Sequence, residues 1–155
     1  MSARVAAIDC GTNSIRLLIA DVGADGRLVD LVRRMEIVRL GQDIDRTGVI
    51  APEAMERTLA MTREYAAQCR AHGVDSVRFV ATSASRDARN AAEFVEGVRA
   101  AFGDLDVAPE VVEGVVEAEL FDDARRRVDA GAVAARLIRR RSSLESSVTA
   151  VSRGL

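Results

Sequence analysis

Short aliphatic runs dominate the first forty residues of the chain, and longer helical periods follow them. Arg4-Val-Ala-Ala-Ile8 and Ile15-Arg-Leu-Leu-Ile-Ala20 are rich in aliphatic residues and flank the polar turn Asp9-Cys-Gly-Thr-Asn-Ser14, which predicts two strands joined by a tight connection. Gly23-Ala-Asp-Gly26 supplies the next turn, and the alternation over Leu28 to Arg33 and Met35 to Leu40 suits strand with one wet face, which completes a meander. Gly41 to Ile50 reads as a polar loop. Pro52 then stands where the first position of a helix would favour it, and Met55, Leu59, Thr62, Ala66 and Cys69 recur at helical spacing until Gly73 stops the run. Ser76 to Ala81 is a further strand, closed by the small polar cluster Thr82-Ser-Ala-Ser85. Asn90, a favourable N-cap, opens a second helix carrying Phe94, Val95, Val98 and Phe102 and ended by Gly103. Val107 to Val112 predicts another strand, which Pro109 would place at an edge or a strand start. Gly114 breaks it and Val115 onward enters a helix. The expected order is βββαβαβα, an α/β layered domain.

Charge divides the chain. Residues 1 to 124 hold 14 Arg and 22 acidic residues, a net of −8, whereas residues 125 to 155 hold 8 Arg and 2 acids, a net of +6. From residue 121 the composition turns to Arg, Ala and Ser, with two triple-arginine runs, and the expectation is one domain over residues 1–120 followed by a divergent tail, a marginal helix or disordered. Either an altered reading frame in a GC-rich gene or a genuine insertion would produce such a switch. All 22 basic residues are arginine, so lysine-based chemistry is excluded. No apolar run approaches the roughly 20 residues that span a bilayer, and the N-terminus lacks the apolar region of a secretory signal, so a cytoplasmic protein without membrane contact is expected. Cys10 and Cys69 stand alone beside a single histidine, His72, which argues against a disulfide scaffold or a zinc site. Cys10 reads as a packing residue and His72 as a favourable charge near a helix end.

Two turns could carry chemistry. In Asp9-Cys-Gly-Thr-Asn-Ser14 a carboxylate at a strand end, a glycine and several hydroxyl and amide groups can hold a metal and phosphate oxygens; the same residues also suit a plain turn in which Asn13 and Ser14 cap their own backbone. Thr82, Ser83 and Ser85, followed by Arg86, would present hydroxyls and a guanidinium at the carboxyl edge of a sheet, where α/β proteins bind ligands. An ordinary strand-to-helix loop with a solvated arginine has the same sequence. Glu117 and Glu119 near a helix start suit a solvated face. The runs Arg125–Arg127 and Arg139–Arg141 can attract a polyanion, but only Phe121 is aromatic from residue 121 onward, so no base-stacking platform supports nucleic-acid recognition.

Ala7-Ile-Asp-Cys-Gly-Thr-Asn-Ser-Ile-Arg-Leu17 closely resembles the first phosphate loop of the exopolyphosphatase and guanosine-pentaphosphatase (Ppx/GppA) family, members of the actin, sugar-kinase and Hsp70 superfamily. Three further segments in matching order strengthen the resemblance: Arg33-Arg-Met-Glu-Ile-Val-Arg-Leu-Gly41, Val80-Ala-Thr-Ser-Ala-Ser-Arg-Asp-Ala-Arg-Asn90 and Gly114-Val-Val-Glu-Ala-Glu-Leu120. The resemblance implies a ribonuclease-H-like half-domain over residues 4–120. It implies magnesium-dependent hydrolysis of the terminal phosphoanhydride of polyphosphate, or of the 5′ γ-phosphate of guanosine pentaphosphate. By the same resemblance Asp9 helps hold the metal, Gly11, Thr12, Asn13, Ser14, Ser83 and Arg86 hold phosphate, and Glu117 activates water. The family's preceding glutamate is Val116 in this chain, which removes a supporting carboxylate.

The family continues into a second, glycine-rich phosphate loop, and residues 121 to 155 contain just Gly131 and Gly154, far apart. Actin-like enzymes close two half-domains around phosphate and metal, so a truncated chain with weak or no turnover alone is expected, open to self-association through unpaired apolar surface. A non-catalytic module that binds polyphosphate or another polyanion is the alternative, and an actin-like kinase half-domain ranks below it.

Overall fold

The computed structural model describes residues 3–81, 83–105 and 109–111. Three strands open the chain: β1 (Ala3–Cys10), β2 (Ser14–Val22) and β3 (Leu28–Ile37). A one-turn helix α1 (Ile44–Thr47) and the long α2 (Pro52–Ala71) follow. Then come β4 (Ser76–Ala81), the short α3 (Ser83–Asp87), α4 (Ala91–Phe102) and β5 (Pro109–Val111). The expected βββαβαβ course is present, with α1 and α3 added inside segments that read as loops. The final expected helix, from Val115, and the whole of residues 121–155 lie outside the described residues.

One five-stranded sheet runs in the order β3-β2-β1-β4-β5. β1 pairs antiparallel with β2, and β2 with β3, so the first three strands form the expected meander. β4 then joins β1 in parallel, Cys10 opposite Ala81, and β5 joins β4 in parallel. Return to a parallel neighbour needs a crossover, and α2 supplies it. Pro109 is the first residue of β5, the outermost strand, where its missing N–H costs no ladder bond.

Strand period and helix period meet on one sheet face. Ala6, Ile8, Cys10, Ile15, Leu17, Ile19, Val77, Phe79 and Ala81 share the core with Tyr65, Ala66 and Cys69 of α2 and with Phe94, Val98 and Phe102 of α4. Phe79 stands between two helix aromatics, with ring centroids 6.3 Å from Phe94 and 6.2 Å from Phe102, tilted and edge-on arrangements that suit ring quadrupoles. Cys10 and Cys69 are buried, and burial pushes the Cys69 thiol up to about 11. Packing, not reactivity, accounts for both. α2 buries two threonines with partners: the Thr58 hydroxyl donates to Ala54 O at 2.8 Å and the Thr62 hydroxyl to Thr58 O at 2.8 Å. His72 is the C-cap, its Nδ1 lying 2.9 Å from Gln68 O, while Arg4 Nη1 donates to the His72 carbonyl at 2.7 Å.

Two local expectations change. Asn90 precedes α4 but makes no cap bond; its side chain instead clamps Ile50, accepting from the Ile50 N–H at 2.9 Å and donating to the Ile50 carbonyl at 3.0 Å. An amide that satisfies a donor and an acceptor together outcompetes one cap bond. The 41–50 segment is not a plain loop, because buried Ile44 anchors α1 between the left-handed residues Asp43 (φ 61°) and Gly48 (φ 72°). Among the described residues no helix is long and apolar enough to cross a membrane.

Candidate active site

Parallel pairing of β1 with β4 brings the carboxyl ends of both strands to the same edge of the sheet. The turn after β1 and the start of α3 after β4 therefore emerge side by side, as ligand-binding loops do in α/β sheets. β5 runs toward that edge as well. The site that the sequence suggests is assembled by this topology from two distant segments.

The turn is held from outside rather than by its own side chains. Gly11 N donates to Ser14 O at 2.8 Å and closes it. Asn13 O accepts from both Val38 N and Arg39 N at 2.9 Å, and Thr12 O accepts from Gly41 N at 2.9 Å. Arg39 reaches this position with a left-handed φ of 50°, unusual for a residue with a side chain. Buried Val38 and Leu40 anchor the clamping segment in the core. Among the described residues no hydrogen bond engages the side chains of Thr12, Asn13 or Ser14, so the self-capped turn is not what forms; Thr12 and Asn13 stand exposed.

Asp9 lies one strand residue before the turn's entry, on the sheet face opposite the helices, directly across from Arg16. Among the described residues its buried Oδ1 has no hydrogen-bond partner. Burial raises the carboxyl above the usual carboxylate range, and the positive charge of Arg16 works against that rise. A buried oxygen with no donor costs free energy unless a further group engages it. Among the described residues no three His, Cys, Asp or Glu side chains cluster. One carboxylate plus substrate oxygens and water is the donor set that magnesium accepts, so Asp9 and its turn fit that ion.

Ser83 is the first residue of α3, next to the turn through the β1–β4 pairing. Arg86 is exposed on α3, and its guanidinium donates to Asp87 from Nε at 2.8 Å and Nη2 at 3.3 Å, holding the Asp87 carboxyl below its ordinary range. Ser85, expected to present its hydroxyl, is only 2% exposed and turns inward. Glu117, Val116, Thr82 and the two arginine runs lie outside the described residues. Arg16 and the clamp of Val38 to Gly41 escaped the sequence reading. Counting back across the hairpin would have found Arg16 opposite Asp9; the clamp has no short-range signal, since it acts through backbone N–H groups.

A meander of three antiparallel strands followed by parallel strands, with two turns emerging side by side at the carboxyl edge, is half of the ribonuclease-H-like fold shared by actin and the sugar kinases. Within that class, the model of the Ppx/GppA phosphatase family matches residues 18–125, and the chain belongs to this family. Exopolyphosphatase 2 of Mycobacterium tuberculosis is 52% identical over 122 residues, covering 76% of this chain and 38% of that protein. The crystal structure of the Aquifex aeolicus Ppx/GppA family member superposes with a TM-score of 0.69 at 34% identity, over 77% of this chain and 38% of that one. An exopolyphosphatase from Cytophaga hutchinsonii gives a TM-score of 0.68 at 34% identity, over 79% of this chain and 38% of that one. The chain thus spans about two fifths of the length of these relatives.

Proposed function

We propose that this chain supplies one half of the active site of a phosphoanhydride hydrolase, acting on the terminal phosphate of inorganic polyphosphate or on the 5′ γ-phosphate of guanosine pentaphosphate. The observation that carries the reading is Asp9 Oδ1, buried and, among the described residues, without a hydrogen-bond partner, beside a turn whose polar side chains no described residue engages. The exopolyphosphatase relatives support polyphosphate as the substrate class.

Magnesium, when bound, neutralises phosphate charge and polarises the bridging oxygen. Asp9 would hold it. Thr12, Asn13 and Ser14 donate to the terminal phosphate's oxygens, with Gly11 leaving room for close approach. Ser83 and Arg86 reach the same phosphate from α3, Arg86 exchanging Asp87 for phosphate oxygens in its planar fork. Glu117 accepts the proton of a water whose oxygen forms the new bond to the terminal phosphorus while the bridging P–O bond breaks. The products are orthophosphate and a chain one phosphate shorter. Val116 leaves this base without the family's neighbouring carboxylate.

Calorimetric titration with tripolyphosphate in magnesium is expected to show saturable binding that Asp9→Asn weakens about tenfold or more, the loss of one charged ligand. Equal affinity in Asp9→Asn would overturn the reading. Phosphate release by this chain is expected to be weak or absent, since a second half-domain completes the site. Vigorous magnesium-stimulated release that disappears in Glu117→Gln would contradict that dependence. Binding that ignores Asp9→Asn and collapses when the arginine runs are neutralised would instead indicate a non-catalytic polyanion-binding module.

A further inference from the structure

Strand β3, at one edge of the described sheet, leaves apolar side chains that the fold does not use on both of its faces: Val29, on the helix side, is 60% exposed, Leu31 at the bulge 41%, and Met35 and Ile37, on the other face, 55% and 67%. Its partner on one side is β2, and on the other side no described strand pairs with it. Ten residues of open edge with exposed aliphatic side chains is what soluble proteins ordinarily blunt or cover. We infer that β3 pairs antiparallel with β3 of a second copy of this chain, about a two-fold axis between Leu31 and Val32.

Self-complementarity carries the choice of occupant. In that register Arg27 opposes Glu36, Asp30 opposes Arg33 and Leu28 opposes Met35, each pair occurring twice by symmetry. Opposite charges meet opposite charges and Leu28 meets the Met35 thioether, while Leu31 lies across from Val32 and Val29 from the aliphatic stem of Arg34.

The bulge makes the register geometrically consistent. β3 pairs with β2 as Ile19 to Val32 and then Ala20 to Asp30, so Leu31 is the extra residue. One inserted residue shifts the two arms of β3 against each other by one position in the pleat. Leu28, Asp30, Arg33 and Met35 consequently lie on a single sheet face, opposite Val22, Ala20, Leu18 and Arg16 respectively. In a regular strand, residues such as 28 and 35 would point to opposite faces; the bulge is what lets them face each other across the axis. Among the described residues Arg33 pairs with the exposed Asp30 of its own chain, at 2.7 Å. Across the axis the two pairs would form a four-charge cluster.

Sedimentation of the full chain tests the inference. A monomer–dimer equilibrium at micromolar concentration is expected. Asp30→Arg, which sets like charges against each other twice, is expected to weaken dimerisation by about tenfold or more, and Asp30→Arg with Arg33→Asp to restore it, with circular dichroism unchanged in both. A second readout fixes the register: mixing Leu28→Cys with Met35→Cys chains and oxidising them is expected to give a mixed disulfide, because opposed strand residues lie within disulfide reach. A chain that stays monomeric throughout, a dimer indifferent to the charge reversal, or the absence of the mixed disulfide would overturn it.

Discussion

Asp9→Asn should make the protein more stable at neutral pH while impairing its binding of magnesium and phosphate. The carboxyl's ionisation is raised by desolvation, against the pull of Arg16, above its unperturbed value of 3.8. A carboxyl raised in the folded state favours folding when protonated. Its contribution is fully present below pH 3.8 and is lost as pH rises through the folded value, so at neutral pH the ionised group opposes folding. A buried polar atom without a partner costs about 1–3 kcal/mol. Asparagine removes the charge but keeps an amide to desolvate, and it forfeits the attraction of Arg16, which places the gain at the low end, about 1 kcal/mol. For a chain of 155 residues that corresponds to a rise in Tm of roughly 2–4 °C. Thermal melts followed by circular dichroism, without magnesium or phosphate, at about pH 7 and again near the unperturbed carboxyl value, measure both the gain and its pH dependence. The gain should shrink on acidification as the wild-type carboxyl takes its proton. A variant less stable than wild type at neutral pH, or a difference that widens in acid, would refute the reasoning. Such an exchange of stability for a charged ligand group is common where a site must engage an ion.

Two further substitutions test the frame around the site. Asn90→Ala removes both bonds to the Ile50 backbone and leaves that donor and acceptor without their partner, so it should cost about 1–3 kcal/mol in chemical denaturation, far more than loss of the side chain from an exposed position; a change below roughly 0.5 kcal/mol would show the clamp to be incidental. Gly97→Val should destabilise by about 1–3 kcal/mol, because a Cβ at residue 97 would sit 2.6 Å from Leu59 Cδ1 and the larger side chain must displace Leu59 from between α2 and α4, and an unchanged midpoint would show that Leu59 moves aside freely.

Elements set by local pattern were readable in the sequence. Proline at a helix start, apolar residues at three and four, and glycine at the stop place α2 at Pro52–Ala71. The aliphatic runs around Asp9-Cys-Gly-Thr-Asn-Ser14 give the hairpin, because a half-buried strand period leaves few alternatives. What escaped depends on tertiary competition. Asn90 has the chemistry of a cap, yet Ile50, forty residues away, offers it a donor and an acceptor at once. Ile44 in a polar segment nucleates α1 only because the core has a place for it. At the site the sequence marked Asp9 and its turn, while Arg16 needed the strand register and the Val38–Gly41 clamp works through backbone groups that leave no trace in residue type. The alternation of β3 was legible as a strand with one wet face; its exposed Val29, Leu31, Met35 and Ile37 were not, because exposure depends on which strand ends at the edge.

A titration of the isotopically labelled chain with tripolyphosphate and magnesium, followed by amide NMR, tests the central claim most directly. The account predicts that the amides of Gly11 to Ser14 and of Ser83 to Arg86 shift together and saturate together, and that Asp9→Asn abolishes the response. Shifts confined to Arg125–Arg127 and Arg139–Arg141, unchanged in Asp9→Asn, would contradict it.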